Sequence, residues 1–317
     1  MKSNKNKTAT LKQMILAGML PLAAIAIGVI GTTNLAFAQG SSITFQSPAE
    51  ASDALVKAAK NHERAAVSQI LGREVTALLS TGDKEADEAA MDSFVAKYQK
   101  MNRWVDMSDG SRVFYIGADN FAFPVPLAKN GSGRWYFDAV AGAEEIRARE
   151  IGRNELLTID ASAAIASAQE IYSTSAGSSH EFAQRIISTS NKQDGLYWPA
   201  GEKETPSPLS DLDKLPKQSL SSSTLEEPLT LDGYTLRILT AQGDDAPGGA
   251  QSYIVDGKMI GGFAILATPV KYGETGIMTF MTGRDGVVYE RNLGPDTAKI
   301  AASIKEFNPT DEWLPVE

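Results

Sequence analysis

The sequence predicts an α+β protein of two successive units behind an export leader, and three observations predict it. Apolar residues recur at helical spacing from Ala51 to Met101, then turn strand-like from Arg112. A long helical pattern from Ile151 is followed, between Tyr234 and Tyr289, by short apolar strands punctuated by Gly- and Asp-containing turns. The chain's 317 residues suffice for about two domains. A composition 43% hydrophobic and 22% charged, without Cys, excludes collagen, a disulfide scaffold and wholesale disorder.

Residues 1–38 read as a signal peptide. Lys2, Lys5, Lys7 and Lys12 form a basic start, Met14 to Ile30 carries no charge, and Ala36-Phe37-Ala38 is a small-x-small cleavage pattern. A retained anchor is the competing reading, but those 17 residues sit at the lower limit for a span and Pro21 interrupts them. Cleavage is therefore expected after Ala38, with a periplasmic or secreted product and no membrane association afterwards. Loss of the four leader lysines leaves 26 basic against 39 acidic residues, a net charge of −13. A surface that negative disfavours nucleic acid and anionic lipid as partners.

The N-terminal α+β domain is expected over 39–146. Ser47-Pro48-Ala49-Glu50 combines a capping serine, a proline at the first helical position and a glutamate that reaches back. A second helix carries Val67, Ile70, Leu71, Val75, Leu78 and Leu79 on one face, and a third carries Ala90, Phe94, Val95, Tyr98 and Met101. Strands are expected at Val113–Ile116, at Phe121–Leu127 (kept to a sheet edge by Pro124 and Pro126) and at Trp135–Phe137. Helices followed by a curved antiparallel sheet is the element order of NTF2-like and cystatin-like units, an analogy of fold alone.

The C-terminal α+β domain is expected over 147–317. Its long helix runs from Ile151 to about Ser173 on Leu156, Leu157, Ile159, Ala163, Ala164, Ala168 and Ile171. Ser178-Ser179-His180-Glu181 reads as a capping box that opens a short helix to Ile187. Residues 200–230 are rich in Pro, Ser and Thr and read as a long irregular loop. A sheet follows. Asp256-Gly257 joins Tyr253–Val255 to Met259-Ile260, Phe263–Ala267 reads as a central strand, and Thr279–Met281 pairs with Val287–Tyr289. Pro295-Asp296-Thr297 starts a closing helix through Phe307.

Chemistry is sparse. Without Cys there is no thiol nucleophile, and two His, His62 and His180, cannot build a multi-His metal centre. Gly-x-Ser-x-Gly, Ser-x-x-Lys, His-Glu-x-x-His, the P-loop, the dinucleotide fingerprint and the calcium loop are all missing. No catalytic residue, metal or cofactor is assigned. The binding candidates are His180, Asp194, Tyr197 and Trp198. His180 is a titratable base with Glu181 and Asp194 near in sequence, although its capping box explains the same spacing. Tyr197 and Trp198 follow a turn, where adjacent aromatics either line a groove or anchor the next loop on the core. Asp244, Asp245, Asp256 and Asp285 belong to turns, which accounts for them without a glycosidase pair.

Ile151-Gly152-Arg153-Asn154-Glu155-Leu156, Ala183–Thr189, Lys192–Pro199 and Ala241-Gln242-Gly243 through Ala246–Ala250 resemble a bacterial exported family, domain of unknown function 2950. Tyr272-Gly273, Asp285–Glu290 and Leu293–Thr297 extend the resemblance over nearly the whole mature chain. It implies export but no activity, ligand or catalytic residue. The helix-then-sheet order of the second domain is also similar to the globular part of pilin-like subunits, with a cleavable signal in place of the long pilin helix.

The expected function is an exported, non-enzymatic binding or envelope-associated accessory protein for a small-molecule, glycan or protein ligand. Two alternatives stand beside it. One is a hydrolase using His180 or an acid with Asp194 beside the Tyr197-Trp198 pair, and the other is a pilin-like subunit assembling through sheet edges.

Overall fold

The computed structural model describes residues 43–175, 180–199, 206–210 and 228–316. The leader with its cleavage point, the Ser178-Ser179 cap and most of the 200–230 loop lie outside the described residues. The chain is α+β and divides into two compact units, Met1–Arg149 and Glu150–Glu317.

In the first unit, α1 (Pro48–Lys60) starts as the sequence dictates. Ser47 Oγ accepts from the Glu50 amide at 3.1 Å, and Glu50 accepts from the Gln46 amide at 2.6 Å. The expected second helix is two helices, α2 (Arg64–Leu71) and α3 (Arg73–Leu79). Gly72 breaks it at φ +93°, a conformation that favours glycine, and a Cβ there would lie 2.7 Å from that of Ala139. Asp83 caps α4 (Lys84–Lys100) by accepting from the amides of Glu85 and Ala86.

The strands are β1 (Asn102–Asp106), β2 (Arg112–Ile116), β3 (Phe121–Ala122), β4 (Leu127–Lys129) and β5 (Trp135–Phe137), ordered β1-β2-β4-β5 with β3 also on β2. β1 was not expected, because its sequence Asn-Arg-Trp-Val-Asp is polar at both ends and it forms an exposed edge. Trp104 holds it to the core by stacking on Phe114, ring centroids 4.4 Å apart. The expected Phe121–Leu127 strand is interrupted between β3 and β4, because Pro124 and Pro126 have no N–H to give a ladder. Phe94, Phe114, Phe123 and Phe137 form the aromatic centre of this unit's core.

The long helix α5 spans Ala139–Thr174, beginning well before the expected Ile151. Asp138 starts it by accepting from the amides of Val140 and Ala141. Its buried face also differs from the expected apolar stripe: Leu156 and Ile171 are each 51% exposed, whereas Asn154, Thr158, Ser162 and Gln169 are buried. Two of them, Thr158 and Ser162, are satisfied within the helix itself. Thr158 Oγ1 donates to the Asn154 carbonyl at 2.7 Å and Ser162 Oγ to the Thr158 carbonyl at 2.8 Å.

The second unit's sheet comprises β6 (Leu229–Leu231), β7 (Tyr234–Leu239), β12 (Ala264–Pro269), β13 (Met278–Gly283), β14 (Val288–Asn292) and β15 (Leu314–Pro315). Their order is β15-β14-β13-β12-β7-β6, all antiparallel. Ile265, Leu266 and Ala267 are buried at its centre, as an apolar run on a central strand should be. Between β7 and β12 lie two short ribbons, β8 (Ala241–Gln242) with β9 (Gln251–Ser252), and β10 (Ile254–Val255) with β11 (Lys258–Met259). The second turns through Asp256-Gly257, where both φ angles are positive. The register pairs Ile254 with Met259.

Three further expectations change. Residues 181–187 form no helix. Their backbone is taken by other partners: the Gln169 amide bonds both the N–H and the C=O of Ala183 at 2.8 Å, and the Phe182 amide donates to the Met259 carbonyl. Leu229 to Thr230, placed in the irregular loop, belong to β6. The closing helix α6 is confined to Thr297–Ser303, because the Phe307 amide donates instead to the Ala241 carbonyl and ties the chain to β8.

Candidate functional site

The four candidates from the sequence fall in one stretch of the second unit but take different roles. His180 is exposed on a turn at φ +65°. Glu181 beside it is paired with Lys258. Asp194 closes the 189–194 turn by accepting from the Thr189 amide at 2.7 Å and Thr189 Oγ1 at 2.9 Å, with Arg185 3.9 Å away. Partial burial raises its pKa, but those two bonds and the Arg185 charge outweigh that and hold it below the ordinary aspartate value. No hydrogen bond joins His180 to Asp194 among the described residues. Tyr197 and Trp198 are 6% and 8% exposed, and Tyr197 belongs to the hydrophobic core with Leu196 and Ile187.

His62, in the first unit, sits between α1 and α2 with Nε2 2.8 Å from Asp92 Oδ1. Among the described residues no group of three His, Asp or Glu side chains could hold a metal. The turn aspartates serve their turns: Asp245 bonds Asn308, and Asp285 accepts from the Val287 amide.

A polar cluster that belongs to no catalytic motif lies where α5 meets the β6–β7 turn and the loop before β13. Successive residues of Ile151–Leu156 supply three of its members. Glu155 Oε1 accepts from the amides of Ile277 and Met278 at 2.8 and 2.9 Å. Asn154 Nδ2 donates to the Thr275 carbonyl at 2.9 Å. The Tyr234 hydroxyl donates to the Met278 carbonyl at 2.8 Å, and burial with the nearby Glu155 charge pushes its pKa far up.

Arg153 is less well served. Its Nη2 donates to Asn154 Oδ1 at 3.3 Å and lies 3.6 Å from Glu150, whereas Nε and Nη1 are buried without an acceptor among the described residues. A buried donor left unpaired costs about 1–3 kcal/mol. Asp232, on the Asp232-Gly233 turn between β6 and β7, feels the Arg153 charge yet forms no ion pair with it. Burial raises the Asp232 pKa, the guanidinium opposing it. Glu290 on β14 is raised likewise, by burial and then by the Glu155 charge.

The Asp-Gly pair at 232–233 is a hairpin signal that the sequence displays openly. The burial of Arg153 carries no such signal, because an arginine on a helix reads as a solvated one.

A family model described as "Protein of unknown function (DUF2950)" matches residues 42–316. No curated protein and no solved structure matches the chain. The NTF2-like, cystatin-like and pilin-like comparisons thus stay analogies of element order.

Proposed function

Because the chain belongs to DUF2950, a family described as of unknown function, we propose its role from the site itself: an exported, non-enzymatic binding or envelope-associated accessory protein whose recognition site is the Arg153 cluster. The observation that carries this reading is the pair of buried Arg153 nitrogens, Nε and Nη1, without an acceptor among the described residues. A buried donor without an acceptor in the chain is a place where a group from outside it, an ordered water or a ligand, gains a hydrogen bond. The geometry around His180 supports catalysis less well. The residue is exposed, and the acids near it in sequence are engaged by Lys258, Thr189 and Arg185.

The periplasmic or secreted location rests on the leader. Among the described residues no helix is long and apolar enough to cross a membrane. Assembly through sheet edges has little to work with, since edge strands β6 and β15 have 3 and 2 residues and the second ends in Pro315.

Two measurements test the proposal. Mass spectrometry of the protein from the extracytoplasmic fraction should give a chain beginning at Gln39. The purified protein should leave ester, peptide and glycoside substrates unchanged. Turnover that disappears in His180→Ala, or an intact leader on cytosolic material, would overturn it.

A further inference from the structure

We infer that the outward face of α5 between Leu156 and Ile171 is where two copies of this chain associate, helix against helix and antiparallel about a two-fold axis. The inference goes beyond the binding role proposed above and does not depend on the Arg153 cluster.

Three observations lead to it. First, α5 is apolar on its solvent side. Leu156, Asp160, Ala163, Ala164, Ser167 and Ile171 are exposed, at the three- and four-residue spacing that lines one side of a helix, opposite the buried Thr158, Ser162 and Ile165. A surface helix ordinarily turns charged residues outward, yet this face holds one charge, Asp160, and leaves two large aliphatic side chains in solvent. Second, the face reads the same from either end. About the midpoint between Ala163 and Ala164 the order is large aliphatic, polar, alanine, alanine, polar, large aliphatic, which is the self-complementarity that a two-fold contact requires. Third, its two polar members complement each other. The Asp160 carboxylate and the Ser167 hydroxyl have no partner among the described residues, whereas Thr158, Ser162, Ser173 and Thr174 each donate to a carbonyl of their own helix.

Two such helices set antiparallel place Leu156 level with Ile171 of the second copy, at both ends of a contact about 22 Å long. Alanines at the centre let the axes approach to about 8 Å. Between centre and ends, Asp160 faces Ser167 of the second copy, so a hydroxyl donates to a carboxylate twice across the axis. The two Asp160 residues stand at least about 10 Å apart, beyond the screening length at physiological salt, and repel each other little. A contact this short buries less than the roughly 1,200 Å² of a standard interface, which makes the association weak and reversible, with a Kd on the order of 100 µM.

The test uses the purified mature chain in sedimentation velocity from about 1 to about 500 µM, a range that brackets such an affinity. The parent should pass from monomer to dimer with concentration. Ala163→Glu sets two carboxylates against each other across the axis and should raise Kd at least tenfold, with the thermal midpoint of the monomer unchanged, because the position is exposed and Glu is a good helix former. An equimolar mixture of Ala163→Glu and Ala163→Lys should regain the dimer, which a misfolded variant could not do. The chain has no Cys, so Ala163→Cys is a clean probe. At that axis separation the two Cβ atoms fall within the about 3.5–4.5 Å that a disulfide spans, and air oxidation should link the copies. Val270→Cys, 48% exposed but off α5, should stay unlinked. A monomer at every concentration, or a dimer that Ala163→Glu leaves intact, would overturn the assignment. So would equal linking of the two Cys variants, or a fall in the monomer's midpoint for Ala163→Glu, which marks a face covered by the chain itself.

Discussion

At the scale of single residues, the molecule uses polar side chains as backbone partners more than as reagents, and Asp194 is the clearest case. Its two oxygens receive the Thr189 amide and hydroxyl, and Arg185 lies near. Asp194→Asn keeps the shape and removes the charge that strengthens those bonds. Its side chain is 38% exposed, so solvent screening limits the loss to about 1 kcal/mol. The sign is set by the pKa, which lies below the ordinary 3.8 in the folded chain. The stabilisation is present above pH 3.8 and disappears as pH falls through the lowered folded value. Urea unfolding should find the variant weaker than the parent at neutral pH, with the gap closing in acid. A gap independent of pH would show that shape alone, not charge, holds the turn.

At the scale of elements, the informative case is α5, whose expected apolar stripe is buried only in part, with Ala168 inside and Ile159 packed on the core. Leu156 and Ile171 are exposed while Asn154, Thr158, Ser162 and Gln169 are inside. Gln169 has no exposure at all, and its amide replaces the helical bonding that residues 181–187 forgo. Gln169→Ala strands the N–H and C=O of Ala183 in the interior, a loss of about 2–6 kcal/mol for two groups at the usual cost of each. Hydrogen exchange at the Ala183 amide should accelerate by about two orders of magnitude or more; a loss below about 1 kcal/mol would mean that water replaces the side chain. The same contrast decides which elements are legible in the sequence. Turn chemistry is legible: Asp256-Gly257 marks the β10–β11 register, and Ser47-Pro48 marks the start of α1. Elements fixed by tertiary partners are not. β1 depends on Trp104 meeting Phe114, the break at Gly72 on the approach of Ala139, and the absent 181–187 helix on Gln169 and Met259. Of the site, the Arg153-Asn154-Glu155 run is visible only as part of a family resemblance. Its chemistry arises because distant loops supply Thr275, Ile277 and Met278 to one helix face.

For the whole molecule, two sets of buried or partly buried acids set opposite limbs of the stability profile against pH. Asp87 and Asp194 are lowered: burial acts against them, but for Asp87 the bonds from Thr81 and Ser80 and the Arg64 charge outweigh it, as Thr189 and Arg185 do for Asp194. Their contribution is complete above pH 3.8 and lost below it as each folded pKa is passed. Asp232 and Glu290 are raised, chiefly by burial. The folded state holds their protons longer than the unfolded chain does, so their contribution is complete below the ordinary values of 3.8 and 4.5 and lost as pH climbs through the raised ones. Stability contributed by these four groups therefore peaks in mild acid and declines on both sides. A double variant, Asp232→Asn with Glu290→Gln, keeps the hydrogen-bonding shapes while deleting the upper titrations. Urea unfolding from pH 3 to 8 should then show a flatter decline on the neutral side and an unchanged collapse in acid. An unchanged neutral limb would mean that burial does not hold protons on Asp232 and Glu290 in the folded protein.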